Sequence, residues 1–125
     1  MFNRRFVPRS IAGSIAAFAL VLAAVPAFAH SHPVSMTPAK DAVTGAPTEI
    51  SIVFSEDLEP KFSTLAVEDS TGVIVSKQKA VLDPANAKHL TLALPKLAAG
   101  VYTVDWVSSS ADGHTLKGKY SFTVK

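Results

Sequence analysis

The chain has 125 residues, with 12 Lys plus Arg against 10 Asp plus Glu, a net charge of +2 at neutral pH and no cysteine. That length leaves room for one small domain behind a leader. The lack of cysteine excludes a disulfide scaffold and a blue-copper centre with its thiolate ligand, and the charge balance leaves no footprint for nucleic acid.

Arg4, Arg5 and Arg9 open the chain, an apolar run from Ile11 to Val25 follows, and Ala27-Phe28-Ala29 is the small-x-small pattern that a signal peptidase cuts after. Gly13 and Ser14 interrupt the apolar run, which favours a removed signal over a retained membrane anchor. Residues 1–29 are thus expected to be a cleaved signal peptide, and residues 30–125 the mature domain, which is not embedded in a membrane. All of the arginine lies in the leader, so the mature part is close to neutral, about −1.

Cleavage after Ala29 makes His30 the first residue. A free N-terminal histidine offers Cu(II) its α-amine and its ring Nδ1 from one residue, and tetragonal nitrogen and oxygen sites suit that ion. His32 opens a competing mode, because a third-position histidine can bind Cu(II) or Ni(II) together with the α-amine and two deprotonated amides.

From His32 onward the sequence reads as short strands divided by turn residues, with no trustworthy helical period. Pro33 to Met36 makes a first edge strand, and the stretch from Thr37 to Pro47 is a turn-rich crossing. Ile50, Ile52 and Phe54 alternate with Ser51 and Val53, so one face of that strand is buried. An acidic loop, Ser55 to Pro60, leads to a strand holding Leu65 and Val67. Val73 to Val75 is expected as its hairpin partner. Leu90, Leu92 and Leu94 share a face, as do Tyr102, Val104 and Trp106, and so do Tyr120, Phe122 and Val124. His89 is expected on the surface at the start of a strand, and Trp106 in the core. The pattern predicts an all-β domain of two packed antiparallel sheets.

Asp112-Gly113-His114 lies between the last two strands. Residues two apart in extended chain point the same way, so one carboxylate and one imidazole can share a metal. Taken alone, the triplet reads more readily as an Asp-Gly turn. Combined with His30 it becomes a donor set: two nitrogens from His30, a third from His114 and an oxygen from Asp112, a plane suited to Cu(II).

With these residues in view, the whole mature chain resembles the CopC family of periplasmic copper-binding proteins. The resemblance rests on the Ala-x-Ala leader end, His30-Ser31-His32-Pro33, Thr37-Pro38-Ala39, Phe54-Ser55-Glu56, the run Gly100 to Trp106, and Ser110-Ala111-Asp112-Gly113-His114. It implies a small Greek-key β-barrel or sandwich, immunoglobulin-like and cupredoxin-like in shape. It also implies a histidine brace made of the His30 amine and ring, Asp112 and His114, holding one Cu(II) per mature chain. Glu56 matches an acidic position near that site and would support a ligand by hydrogen bonding, while His32 would be auxiliary. Some relatives carry a Met-rich loop for Cu(I), a soft ion that prefers thioethers, but the mature chain has only Met36, so no Cu(I) site is expected.

The implied role is a monomeric periplasmic carrier or buffer for copper, passing it to a CopD-like inner-membrane transporter or another periplasmic copper protein. Two alternatives stand beside it: a histidine-brace copper oxygenase, and a metal-free immunoglobulin-like interaction module. No catalytic serine or cysteine arrangement and no phosphate loop is apparent, so the chain reads as a binding protein and not an enzyme.

Overall fold

Alternation decides which face of each strand turns inward, and the computed structural model, which describes residues 30–125, follows it closely. The expected leader, residues 1–29, lies outside the described residues. Among the described residues there are eight strands and no helix: β1 (Pro33–Thr37), β2 (Val43–Thr44), β3 (Glu49–Phe54), β4 (Thr64–Asp69), β5 (Val81–Asp83), β6 (Asn86–Ala93), β7 (Gly100–Ser109) and β8 (Thr115–Val124). They form two four-stranded sheets, ordered β1-β3-β6-β5 and β2-β8-β7-β4.

Ile50, Ile52 and Phe54 from β3, Leu90 and Leu92 from β6, Val67 from β4, Val104 from β7 and Phe122 from β8 are at most 1% exposed. Facing side chains of this size supply the apolar burial that a cysteine-free domain depends on. Tyr102 stacks on Phe122 at 5.7 Å between ring centres, and its hydroxyl donates to the Ala98 carbonyl at 2.7 Å, tying the turn before β7 to the strand. Trp106 packs against the core and meets Phe54 edge-on at 5.8 Å.

Four expectations are corrected. The second sheet is mixed, because β2 runs parallel to β8; after Thr37-Pro38 the chain crosses between sheets, and Asp41 N–H donates to the Ser121 carbonyl at 2.7 Å, laying β2 along the end of β8. Val73–Val75 forms no strand beyond a single bridge of Ile74 to Glu68. There the Ser76 hydroxyl accepts the Val67 N–H at 3.1 Å, and this side-chain bond takes the place of further ladder pairing. The short β5 is an addition, since three residues carry no visible alternation. His89 sits within β6, half-buried, with Nε2 2.7 Å from Ser51 Oγ and Nδ1 3.2 Å from Asp83 Oδ2. Its ring links three strands of one sheet across the outer face.

The two sheets converge on one pole. The start of β1, the end of β3 and the β7–β8 hairpin meet there, and the 55–59 loop lies across them. Leu58, 4% exposed, anchors that loop. Its N–H donates to the Ala87 carbonyl at 2.8 Å, and the Glu59 N–H donates to the Ser109 carbonyl at 2.7 Å, so the loop binds both sheets.

Candidate metal centre

The β7–β8 hairpin turns at Ser110–Gly113, closed by a Gly113 N–H to Ser110 carbonyl bond of 2.9 Å. Gly113 has φ of +91°, a left-handed conformation that a residue with a Cβ adopts only at a cost. The turn, and not the extended chain on which the spacing argument rested, sets Asp112 and His114 side by side. Asp112 Oδ2 faces His114 Nδ1 at 3.0 Å. Asp112 Oδ1 accepts the Ser110 hydroxyl and, at 3.2 Å, the His114 N–H. These donors, the hydroxyl first and the imidazole next, pull the Asp112 carboxyl down to about 2, below its ordinary value. Asp112 is therefore an anion at any physiological pH. Oδ1 is engaged by two donors and Oδ2 by the His114 ring, so a metal on this carboxylate would have to displace the imidazole from Oδ2.

His30 reaches the same place from the other end of the sequence. Its ring centre lies 5.3 Å from that of His114, with the planes tilted by 48°. A metal–imidazole bond of about 2.0–2.1 Å puts each ring centre roughly 3.2 Å from the metal. Two rings on one ion then have centres no more than about 6.4 Å apart, and the observed separation falls within that limit. Among the described residues no group of three or more His, Cys, Asp or Glu side chains is already gathered to hold a metal. Side chains alone do not finish this site. A metal held here would need the Asp112–His114 pair to open and a donor beyond these side chains.

What holds His30 in place is a set of serines that the sequence does not single out. Ser31 is 1% exposed. Its hydroxyl donates to the Glu56 carbonyl at 3.1 Å and accepts the Glu56 N–H at 3.3 Å, while its own carbonyl accepts the buried Ser108 hydroxyl. Ser55 Oγ donates to the His30 carbonyl at 3.3 Å and accepts the His32 N–H at 3.1 Å. Ser63 and Ser109 exchange two further bonds beneath the loop, Ser109 N–H to Ser63 Oγ at 3.1 Å and Ser63 Oγ to the Ser109 carbonyl at 3.3 Å. Ser31 and Ser55 stand within motifs that carry the family resemblance, and Ser108-Ser109-Ser110 forms a run, but none of these serines has a chemistry of its own that gives away its role.

Glu56 meets the segment from His30 to His32 through its main chain, as the partner of Ser31. Its side chain lines a cleft of about 340 Å³ with Asp57, Lys88, Ser110, Ala111 and Asp112. His32 is exposed and folds back, with Nδ1 3.1 Å from Ser55 Oγ and 3.4 Å from the His30 carbonyl. Met36 packs partly buried against the core.

Known proteins share this architecture and much of the sequence. The CopC domain profile matches residues 33–125, which includes Glu56, Asp112 and His114 and begins just after His32. Protein YobA of Escherichia coli K12 is 35% identical over 119 residues, covering 94% of this chain and 96% of its own. Copper resistance protein C of Xanthomonas campestris pv. juglandis is 34% identical over 126 residues, covering 96% of this chain and 99% of its own. The crystal structure of CopC from Methylosinus trichosporium OB3b superposes with a TM-score of 0.73 at 35% identity, covering 77% of this chain and 94% of that one. The two-sheet fold is thus the cupredoxin-like β-sandwich of those structures. Among the described residues no helix is long and apolar enough to cross a membrane.

Proposed function

This chain belongs to the CopC family, and from that premise we propose that it is a periplasmic Cu(II)-binding protein that buffers, sequesters or delivers copper through an N-terminal histidine brace. Removal of residues 1–29 exposes the His30 amine. That amine, the His30 ring, the His114 ring and Asp112 Oδ2 make a donor set of three nitrogens and one oxygen for one Cu(II). The observation that carries the reading is the approach of the His30 and His114 rings to 5.3 Å, beside a carboxylate held ionised.

Capture fits this site better than turnover. Asp112 fills the equatorial position that an oxygenase would keep open, and its anionic charge offsets that of the ion. The serine belt fixes the N-terminal main chain before the metal arrives, so little ordering remains to be done on binding. Release to an acceptor, such as a CopD-like membrane transporter or another periplasmic copper protein, then requires a partner that displaces the exposed His114–Asp112 side of the site. We take the working form to be the monomer.

The test is a Cu(II) titration followed by electron paramagnetic resonance on protein beginning at His30, on the same protein with one extra N-terminal residue, and on His114→Ala. Both changes are expected to alter the spectrum and to weaken binding. A spectrum and affinity indifferent to both would remove the brace.

A further inference from the structure

The first three residues of the processed chain, His30-Ser31-His32, spell a second metal site. In an unfolded peptide a free amine, two main-chain amides and a third-position imidazole wrap a square plane of four nitrogens, the geometry that Cu(II) and Ni(II) favour. The geometry points to a fold that switches this chelate off, with Ser55 as the residue that does so, and hence to a folded protein that refuses Ni(II). This inference rests on the proposed reading in one respect, that His30 carries a free amine.

The chelate needs two donors from His32, its main-chain nitrogen and its ring Nδ1, both turned to one point. In the structure both are turned to one point, and Ser55 Oγ stands there: 3.1 Å from His32 N and 3.1 Å from His32 Nδ1. The serine hydroxyl occupies the side of His32 from which a metal would bind. The main chain is held in the wrong shape as well. Ser55 N–H donates to the His32 carbonyl at 2.9 Å, and Ser31, whose amide would be the middle donor, is buried with its hydroxyl on Glu56 and its carbonyl on Ser108. Next along the chain, Pro33 opens β1 opposite Phe54, so the segment cannot curl around an ion without leaving the sheet edge.

Wrapping a metal therefore costs several hydrogen bonds that the brace leaves intact. The brace takes the His30 amine and ring and turns away from His32. Cu(II) has both options and is directed to the brace. Ni(II), whose strong site in such a sequence is the amide-bound plane, loses its place. Ser55 is then a specificity-determining residue: it acts by filling space and occupying donors, and it touches no metal.

The experiment uses protein beginning at His30, titrated with nickel chloride at pH 7.5 and followed by the visible band of planar Ni(II) bound to four nitrogens. The tripeptide His-Ser-His amide and the urea-unfolded protein are the references. The references are expected to develop the band, and the folded protein to bind Ni(II) about 100-fold more weakly or less, as follows from breaking two or more main-chain hydrogen bonds. Ser55→Ala should bind Ni(II) measurably more tightly than wild type while folded, though short of the tripeptide because the Ser31 bonds and the Ser55 N–H still hold the main chain, and adding His32→Ala should abolish the gain. Folded wild-type protein that matches the tripeptide, with binding lost in His32→Ala, overturns the inference. So does a folded Ser55→Ala protein that stays as silent as wild type. Ser55→Gly serves as the second variant if Ser55→Ala is unstable: the same gain supports the inference and a silent folded protein overturns it. The copper spectrum of His114→Ala, read on the same preparations, reports on the brace alone, so failure of that reading shows separately.

Discussion

Gly118→Ala is a demanding test of how the core between β7 and β8 is built. A Cβ on Gly118 would stand 2.3 Å from Trp106 Cζ2, 2.5 Å from Cε2 and 2.9 Å from Nε1. Carbon contacts settle near 3.5–4.0 Å, so the overlap exceeds about 1 Å. The atoms in the way belong to a rigid indole ring, not to the free end of a flexible chain. Trp106 pairs with Gly118 across β7 and β8, so the ring must tilt off β8 and give up its edge-on contact with Phe54 at 5.8 Å. Overpacking costs about 1–3 kcal/mol and loss of an aromatic pair about 0.5–1.5 kcal/mol, giving a destabilisation of about 3 kcal/mol. Urea unfolding measures it: with a slope near 1–2 kcal/mol/M, the midpoint falls by about 1.5–3 M. Trp106 is the only tryptophan, so its emission should shift to the red in the folded variant. A midpoint within about 0.3 M of wild type, the precision of such curves, together with unchanged emission, would refute the packing argument.

Tyr120→Phe should go the other way. The Tyr120 hydroxyl is buried without a hydrogen-bond partner, and burial pushes its ionisation up to about 12; removing it should stabilise the domain by about 1 kcal/mol, read as a rise of about 4–8 °C in Tm. Asp112 responds only to strong acid. Its folded carboxyl is depressed from 3.8 to about 2, so its hold on the hairpin is fully present above pH 3.8 and is lost only as pH falls through about 2. If nitrogen ligands hold the copper, its affinity is expected to fall between pH 8 and 5 as protons compete for them, and to do so on a weaker scale in Asp112→Asn; an affinity independent of pH there would contradict nitrogen ligation. Met36→Leu should cost less than about 1.5 kcal/mol, as volume-conserving core changes do, and leave the Cu(II) spectrum unchanged. Tight Cu(I) binding under reducing conditions, lost in that variant, would show that Met36 leaves the core to act as a ligand.

The parts of this fold that sequence reveals are those where one residue's type is enough. Ile50-Ser51-Ile52-Val53-Phe54 announces a half-buried strand by its period, and the long runs of β7 and β8 do the same. Asp112-Gly113-His114 announces both its turn and the pairing of its two side chains, since the glycine φ and the side-chain direction are local properties. Partnership is a different matter. Val43–Thr44 is too short to show that it lies parallel to β8, and Val73–Val75 has strand-like residues but meets Ser76 where a ladder bond would go. The place of His89 is hidden because periodicity tells which face a residue occupies and not what stands across from it; Ser51 and Asp83 on neighbouring strands make that face a half-buried one. The serines are the extreme case, as a hydroxyl has no period and no charge, and its role is set by whichever main-chain group folding brings within about 3 Å.

Serine is a physically apt choice for that belt. On the proposed function, the segment from His30 has to be pinned within a few ångströms of a cation site, and most polar residues able to pin it would disturb that site. A lysine or arginine would add positive charge beside the ion. An aspartate or glutamate would compete as a ligand, and a further histidine would extend the amide-bound chelate that the first three residues already encode. A neutral hydroxyl is a weak metal ligand, donates and accepts at once, and is short enough to be buried without a flexible stem. Ser31 and Ser55 use both capacities, giving to one main-chain carbonyl while accepting from an N–H. The segment from His30 is thus fixed by neutral groups, and on the proposed function the His30 amine and the side chains of Asp112 and His114 on the facing hairpin are left for the metal.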